Sequence, residues 1–215
     1  MPGTSAIVLN GIRLLLAVEA LIAVWRGVLP AVFITLTALA LTFLPGLVAS
    51  RVGLRLPPSF LAAIALFVLA TLYLGEVQDF YGRFWWWDLA LHFGSAMGFG
   101  ILGFLLIFML FHGDCYAAPP WAVGALSFCL AVTVGTLWEI FEYAMDTGFG
   151  FNMMKSGLPD TMGDLIVDAV GAALAALAGV VYLLGRAGRL GAPFDLFIAT
   201  NRARFRKVLF RKKRG

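Results

Sequence analysis

The most informative stretch of this sequence runs from Trp138 to Asp168 and reads WEIFEYAMDTGFGFNMMKSGLPDTMGDLIVD. It contains two apolar segments joined by a loop, and it carries six carboxylates: Glu139, Glu142, Asp146, Asp160, Asp164 and Asp168. Ionised groups inside or beside hydrocarbon raise the free energy unless a cation, a metal, a proton or water compensates them. The stretch therefore predicts two membrane helices with a polar site at the ends that the loop joins.

Composition places the chain in a membrane. Of its 215 residues, 61% are hydrophobic and 13% are charged, and a soluble domain of this size could not keep so much apolar surface from water. The cysteines, Cys115 and Cys129, predict neither a disulfide nor a metal-binding Cys/His motif. The N-terminus lacks the charged segment and cleavage site of a signal peptide, so the first apolar run is expected to be a retained helix.

Six apolar runs have the length of a membrane-spanning helix, which is roughly 20 residues. Gly and Pro residues mark the breaks between them. We predict an all-α polytopic membrane protein, a six-transmembrane-helix bundle over residues 1–187, with helices at about 6–26, 28–49, 58–79, 87–111, 120–146 and 161–185. Residues 188–215 are predicted to form a basic amphipathic tail.

The distribution of Lys and Arg predicts the orientation. Ten of these residues follow the sixth run, and Arg51 and Arg55 lie on the same side, whereas the opposite side holds Arg26, Arg83 and Lys155. Lys and Arg concentrate in cytoplasmic segments, so we expect both the N- and the C-terminus in the cytoplasm.

The tail interleaves Phe and Leu with basic residues, which suits a helix lying on a lipid surface. Anionic headgroups of membrane lipids are the expected partners of its charges: Arg202, Arg204, Arg206, Lys207, Arg211, Lys212, Lys213 and Arg214. A simple topology anchor is the favoured interpretation, and no nucleic-acid partner is expected.

This topology brings most acidic residues to one membrane face. Nine of the twelve, with His92, are predicted at helix ends on the outer side: Glu76, Asp79, Asp88, Glu139, Glu142, Asp146, Asp160, Asp164 and Asp168. Spacings of three or four residues place the acids of each helix on one face. Capping of helix N-termini is the better explanation for Asp88, Asp160 and Asp164 taken alone. The acids in last helical turns oppose the helix dipole and require another partner.

We predict that this partner is a cation, with protonation of several acids as the alternative. The expected metal ligands are His92, Glu139, Glu142, Asp164 and Asp168, with Asp88 orienting His92. Further polar residues expected at or around the site are Asp160, Asp146, Glu76, Asp79 and Glu19. Oxygen-rich ligation favours Mg²⁺, Mn²⁺ or Ca²⁺, while Zn²⁺ and iron remain open.

Three motifs of the second half resemble those of the bacterial YjdF-like family of inner-membrane proteins: Trp87-Asp88 with His92, Trp138-Glu139-x-x-Glu142, and Asp160-Thr161-x-x-Asp164-Leu165-x-x-Asp168. The match covers about the last three helices, and the motifs are moderately specific. The last two helices are more distantly similar to VanZ-like membrane proteins, from which this chain departs at several polar positions. The YjdF-like resemblance implies a small multi-pass protein of the bacterial cytoplasmic (inner) membrane and carries no activity.

Three functions are compatible with these residues. The first is a metal-dependent hydrolase or transferase acting on a lipid or amphiphile at the outer leaflet, in which two carboxylate-bridged metals activate water under a lid formed by residues 147–159. The second is a proton- or cation-coupled transporter, for which Arg13 and Glu19 are the one continuation toward the cytoplasm. The third is a structural or assembly subunit whose cation pins the helices. The sequence leaves open whether the chain is an enzyme and which protein partner it has.

Overall fold

The structure is a computed structural model that describes residues 3–111 and 118–201, except for the side chains of residues 189 and 190. Within these ranges every regular element is a helix, and six helical spans are long and apolar enough to cross a membrane. The prediction of an all-α polytopic membrane protein is therefore confirmed. The basic tail residues expected to contact lipid, from Arg202 to Arg214, lie outside the described residues.

Eight α-helices make up the six spans and one short connection. They are α1 (Thr4–Arg26), α2 (Leu29–Leu41), α3 (Leu44–Arg51), α4 (Pro58–Val68), α5 (Phe80–Arg83), α6 (Trp87–Phe111), α7 (Pro120–Phe149) and α8 (Leu158–Leu183). α4 continues directly as a π-helix over Leu69–Val77, so the two together form the third span. A 3₁₀ turn over Gly188–Gly191 and a helical segment over residues 192–201 follow α8.

Proline explains two departures from the expected helix bounds. The second span was expected to be one helix over 28–49, but it is interrupted at Thr42 and Phe43, because Pro45 in the first turn of α3 lacks the N–H that would continue the hydrogen bonding of α2. The sixth helix was expected from residue 161, but it begins at Leu158, since Pro159 is favourable in a first helical turn. The fourth span has the expected bounds, 87–111.

The contacts between helices divide the chain into two compact units. Among the described residues, the first unit contains 3–87 and 196–201, and the second contains 88–111 and 118–195. The first unit has a core of aliphatic and small side chains from α1, α2 and α4, namely Leu9, Ile12, Leu16, Ala38, Ala62 and Ala65, with Tyr73 of the π-helix.

In the first unit, Arg13 stabilises the break between α2 and α3. Its Nε donates a hydrogen bond to Thr42 Oγ1 at 3.1 Å, and its Nη2 donates one to the Thr42 carbonyl oxygen at 2.9 Å. The guanidinium also lies 3.9 Å from the centroid of the Phe43 ring. A charge in the middle of a membrane helix is costly when unpaired, and here it satisfies a carbonyl at the negative end of the α2 dipole.

The C-terminal part of the first unit is fastened by an amide side chain. Asn201 Oδ1 accepts a hydrogen bond from the Arg55 amide at 2.8 Å, and its Nδ2 donates to the Arg55 carbonyl oxygen at 2.9 Å. The neighbouring Phe197 is fully buried, with its ring centroid 5.7 Å from that of Phe60. Phe197 and Asn201 thus attach residues 196–201 to the rest of the first unit.

In the second unit, the close approach of α6 and α8 depends on a glycine. A Cβ on Gly171 would lie 2.6 Å from the carbonyl oxygen of Phe93, so a larger residue would push the helices apart. Ser127 of α7 donates a hydrogen bond of 2.6 Å to the carbonyl oxygen of Gly100 on α6. Small residues and helix-to-helix hydrogen bonds are the usual means of association in a membrane, where apolar burial contributes little.

Candidate metal centre

Three helices of the second unit bring four ionisable side chains together. His92 comes from α6, Glu139 from α7, and Asp164 and Asp168 from α8. Their exposed fractions are 8%, 4%, 2% and 2%, so all four are buried. The spacing of four residues between Asp164 and Asp168 places both on one face of α8, as their positions in the sequence require.

The imidazole of His92 lies between carboxylates on its two sides. Its Nδ1 is 3.4 Å from Asp168 Oδ2, and its Nε2 is 3.7 Å from Glu139 Oε1 and 4.0 Å from Asp88 Oδ1. When Nδ1 carries the proton, it points at Asp168 and leaves the Nε2 lone pair facing Glu139 and Asp88. Histidines that bind metals typically donate one ring N–H to a carboxylate and coordinate the metal through the lone pair of the other nitrogen.

The Glu139 carboxylate is buried and has the Thr161 hydroxyl as a neighbour, but it accepts no hydrogen bond of good geometry. Among the described residues, neither of its oxygens has a hydrogen-bond partner, and the same holds for Asp168 Oδ1 and Thr161 Oγ1. Leaving a buried carboxylate unsatisfied costs several kcal/mol or more, so such groups are normally paired, protonated or bound to a cation. The Glu139 oxygens are therefore available to a ligand.

Ligand atoms of the second unit form two groups in which all members lie within 4.8 Å of one another. The inner group consists of His92, Glu139 and Asp164, all buried, and the outer group consists of Asp88, Asp160 and Asp164. Asp164 belongs to both. One nitrogen and two carboxylates suit Mn²⁺, Fe²⁺ or Zn²⁺, whereas three carboxylates suit Mg²⁺, Ca²⁺ or Mn²⁺.

Two acids of α7 that the sequence placed near the metal have other partners. Glu142 Oε1 accepts a hydrogen bond of 2.9 Å from the indole Nε1 of Trp138, one turn earlier on the same helix. The carboxylate of Asp146 accepts hydrogen bonds from two backbone amides: Oδ1 from Met153 at 2.7 Å and Oδ2 from Met154 at 2.9 Å. Neither ligand group includes Glu142, and Asp146 holds the loop between α7 and α8 in place.

The same loop carries the one lysine of the described chain. Lys155 Nζ lies 3.1 Å from Asp88 Oδ2, which joins the loop to the first turn of α6. Lys155 has a positive φ of 37°, a conformation that is unfavourable for residues other than glycine. Its ammonium group is thus a basic partner for Asp88 at the edge of the acidic cluster.

Three further acids that were expected at or around the site belong to the first unit. Glu19 is half-buried in α1, and Glu76 is exposed in the π-helix. Asp79 is exposed just before α5 and has a φ of 58°. All three acids lie in the first unit, and neither ligand group includes them.

One residue that sequence reasoning missed is Gly135. An added Cβ at this position would overlap with Oδ2 of Asp168, the oxygen that faces His92. Gly135 therefore provides the space into which the Asp168 carboxylate fits. The signal in the sequence is a glycine one helical turn before Glu139, on the same face of α7.

The comparisons with known proteins agree with this architecture. Residues 9–185 match the family model described as "Predicted membrane protein (DUF2238)". A relative from Thermotoga maritima, titled "Uncharacterized protein", is 35% identical over 98 residues, which are 46% of this chain and 50% of that protein. The matched region thus spans about half the length of this relative.

No solved structure matches the chain. The DUF2238 family is that of the YjdF-like proteins, so the resemblance drawn from the motifs of the last three spans is confirmed, whereas a likeness to VanZ-like proteins is not shown. With the family model covering most of the chain, from the first span to the end of the sixth, this multi-pass membrane protein belongs to the DUF2238 family.

Proposed function

We propose that the second unit binds a divalent cation through His92, Glu139 and Asp164. The observation that carries this proposal is the Glu139 carboxylate, which is 96% buried, lies 3.7 Å from His92, and has no hydrogen-bond partner on either oxygen within the described chain. A bound cation would compensate this charge and that of Asp164 together. Mn²⁺, Fe²⁺ and Zn²⁺ fit the mixed nitrogen and oxygen ligands best, with Mg²⁺ and Ca²⁺ open for the oxygens.

The side chains around the cation have separate roles in this proposal. His92 coordinates through Nε2, while its Nδ1–H donates to Asp168, which fixes the ring and the protonated nitrogen. Asp168 is then a positioning residue and not a ligand, and Gly135 provides the room for its carboxylate. The Thr161 hydroxyl, a buried neighbour of Glu139 that makes no hydrogen bond of good geometry, is available to a water molecule or a substrate oxygen.

The activity we propose is metal-dependent hydrolysis or group transfer on a lipid or amphiphile at the outer face of a bacterial cytoplasmic membrane. A divalent cation supplies an activated water and polarises a phosphoryl or acyl oxygen. Glu139 lies ten residues before the end of α7, or roughly 15 Å, and Asp164 lies six residues after the start of α8, or roughly 9 Å. A site at this depth within apolar helices favours an amphiphile whose polar group enters while its chains stay in lipid.

Proton- or cation-coupled transport is the second candidate. The observation that favours it is the position of His92 between Glu139 and Asp168, because an imidazole that faces carboxylates with both nitrogens can accept a proton on one side and release it on the other. In this case the carboxylates would be compensated by protons and no stoichiometric metal would be retained.

Elemental analysis of the detergent-purified protein, prepared without chelators, tests the proposal. We expect about one metal equivalent in the wild type, its loss in Glu139→Gln, and its retention in Glu142→Gln. Both variants remove one carboxylate from α7, but Glu142 lies outside the ligand groups. Metal retained equally by both variants would overturn the site assignment, and no metal in any of the three proteins would favour transport.

If metal is bound, phospholipid turnover in mixed micelles separates an enzyme from a structural role. An enzyme requires product formation by the wild type and by Glu142→Gln, and none by Glu139→Gln. Metal binding without turnover of lipid, together with lower thermal stability after metal removal, would support a cation that only holds the helices together.

A further inference from the structure

The Thr161 hydroxyl makes no hydrogen bond with the backbone of its own helix. A threonine inside a helix commonly donates its hydroxyl to the carbonyl oxygen one turn earlier, as Thr35, Thr71, Thr136 and Thr147 do here at distances of 2.7–3.1 Å. Thr161, near the start of α8, makes no such bond, although its hydroxyl oxygen is buried. Its hydroxyl proton is therefore available to a neighbour on another helix.

That neighbour is the Glu139 carboxylate on α7. The Thr161 hydroxyl lies beside it but makes no hydrogen bond of good geometry with it. A hydroxyl has one proton to donate, whereas an ionised carboxylate can only accept. A buried donor and a buried acceptor thus lie side by side with their hydrogen-bonding capacity unused, which is unfavourable unless a bound ligand completes their bonding.

The position of Thr161 in its helix places it beside the metal ligands. Thr161, Asp164 and Asp168 are spaced by three and four residues, so the three side chains share one face of α8. That face supplies the carboxylates that lie next to His92 and Glu139. Thr161 therefore lies about one turn nearer to the start of α8 than Asp164, on the same side of the helix.

We infer that Thr161 is a positioning residue that determines which oxygen of Glu139 binds the cation. The inference rests on the proposed function, since it takes the cation to be bound by His92, Glu139 and Asp164. One Glu139 oxygen coordinates the ion, and the other accepts a hydrogen bond from the Thr161 hydroxyl, so that both buried oxygens have a partner.

This role of Thr161 has a consequence for the chemistry of the site. When Glu139 coordinates through a single oxygen, a position at the ion stays open for water or for a substrate oxygen, as a hydrolytic metal centre requires. The lone pairs of the Thr161 hydroxyl remain available to that water, because the hydroxyl uses only its proton in the bond to Glu139.

Calorimetric titration of the full-length, metal-free protein with Mn²⁺ in detergent tests this inference. Thr161→Val keeps the shape of the side chain but removes the hydroxyl, and it should lower Mn²⁺ affinity by about 10–100-fold, the usual loss when a group that orients a metal ligand is removed. Thr161→Ser keeps the hydroxyl and should bind Mn²⁺ nearly as tightly as the wild type.

Thr136→Val is the matched control for the loss of a hydroxyl. The Thr136 hydroxyl, on α7, donates to the carbonyl oxygen of Val132, and neither ligand group includes this residue. Its removal should leave Mn²⁺ affinity unchanged.

Infrared difference spectra of the metal-free and Mn²⁺-saturated proteins examine the coordination itself, because the stretching bands of a carboxylate depend on whether one or both oxygens bind the ion. Isotopic labelling of the glutamate carboxyl carbons separates the band of Glu139 from those of the aspartates. This band should shift in Thr161→Val and keep its position in Thr161→Ser and Thr136→Val. A purely structural role of Thr161 would leave it in place in all three variants.

Equal affinities and unchanged glutamate bands in the wild type and Thr161→Val would overturn the inference while leaving the proposed function intact. Equal losses of affinity in Thr161→Val and Thr161→Ser would also overturn it, since the hydroxyl would then not be the cause. Absence of Mn²⁺ binding by the wild type and by every variant would overturn the proposed function itself, and the inference with it.

Discussion

Nδ1 of His92 on α6 lies 3.4 Å from Oδ2 of Asp168 on α8, while the other ring nitrogen faces Glu139 on α7. One imidazole thus connects the three helices of the second unit at their polar end. The orientation of this ring depends on Asp168, which in turn depends on the space beside Gly135.

Asp168→Asn should weaken metal binding without abolishing it. The amide can still contact His92 but no longer carries the charge that favours the protonated Nδ1, and loss of such a supporting carboxylate typically costs 10–100-fold in metal affinity. The measurement is the Mn²⁺ dissociation constant by calorimetry, beside Asp164→Asn, which removes a ligand and should lose more. An affinity unchanged from the wild type would show that Asp168 does not orient His92.

Gly135→Ala should lower metal affinity by about tenfold, because the new methyl group would displace the Asp168 carboxylate from His92. Gly148→Ala is the control on the same helix, since a Cβ there meets no atom within 4 Å. Both variants should keep the helical circular dichroism of the wild type. Equal affinities in the two variants would contradict the role given to Gly135.

Arg13→Met should destabilise the first unit by about 1–3 kcal/mol, because two hydrogen bonds from a charged group to Thr42 are lost within a membrane helix. Arg26→Met, at the exposed end of α1, removes the same charge without such contacts and should change stability by less than about 0.5 kcal/mol. Thermal unfolding in detergent, followed by circular dichroism, compares the two. Similar melting temperatures for both variants would show that the hydrogen bonds from Arg13 to Thr42 contribute no stability.

Asn201→Leu should release residues 196–201 from the first unit. The change removes both hydrogen bonds to the Arg55 backbone and leaves the Arg55 amide and carbonyl without these partners. Hydrogen–deuterium exchange of this segment should rise about tenfold, whereas Thr200→Val, at an exposed neighbour, should leave it unchanged. Unaltered exchange in Asn201→Leu would mean that the buried Phe197 holds the segment alone.

The sequence by itself determined the fold class and the choice of helices that carry the polar site. Apolar runs of about 20 residues leave few alternatives to membrane helices, because backbone groups in hydrocarbon must satisfy one another. Spacings of three and four residues also determined that Glu139 shares a face with Glu142, and Asp164 with Asp168. The positions at which helices break were harder to predict from the sequence, since Pro45 interrupts a span whereas Pro159 lies in the first turn of a helix.

Only the tertiary structure decided which of these acids meet. Glu139 and Glu142 share a helix face, yet Glu139 faces His92 and Glu142 bonds to Trp138, because helical periodicity determines direction within one helix and not the partner across an interface. The roles of Gly135, Lys155 and Asp146 likewise depend on neighbours that are distant in the chain. Close approach between helices is a property of their packing, where the absence of a single Cβ determines whether Asp168 can lie beside His92.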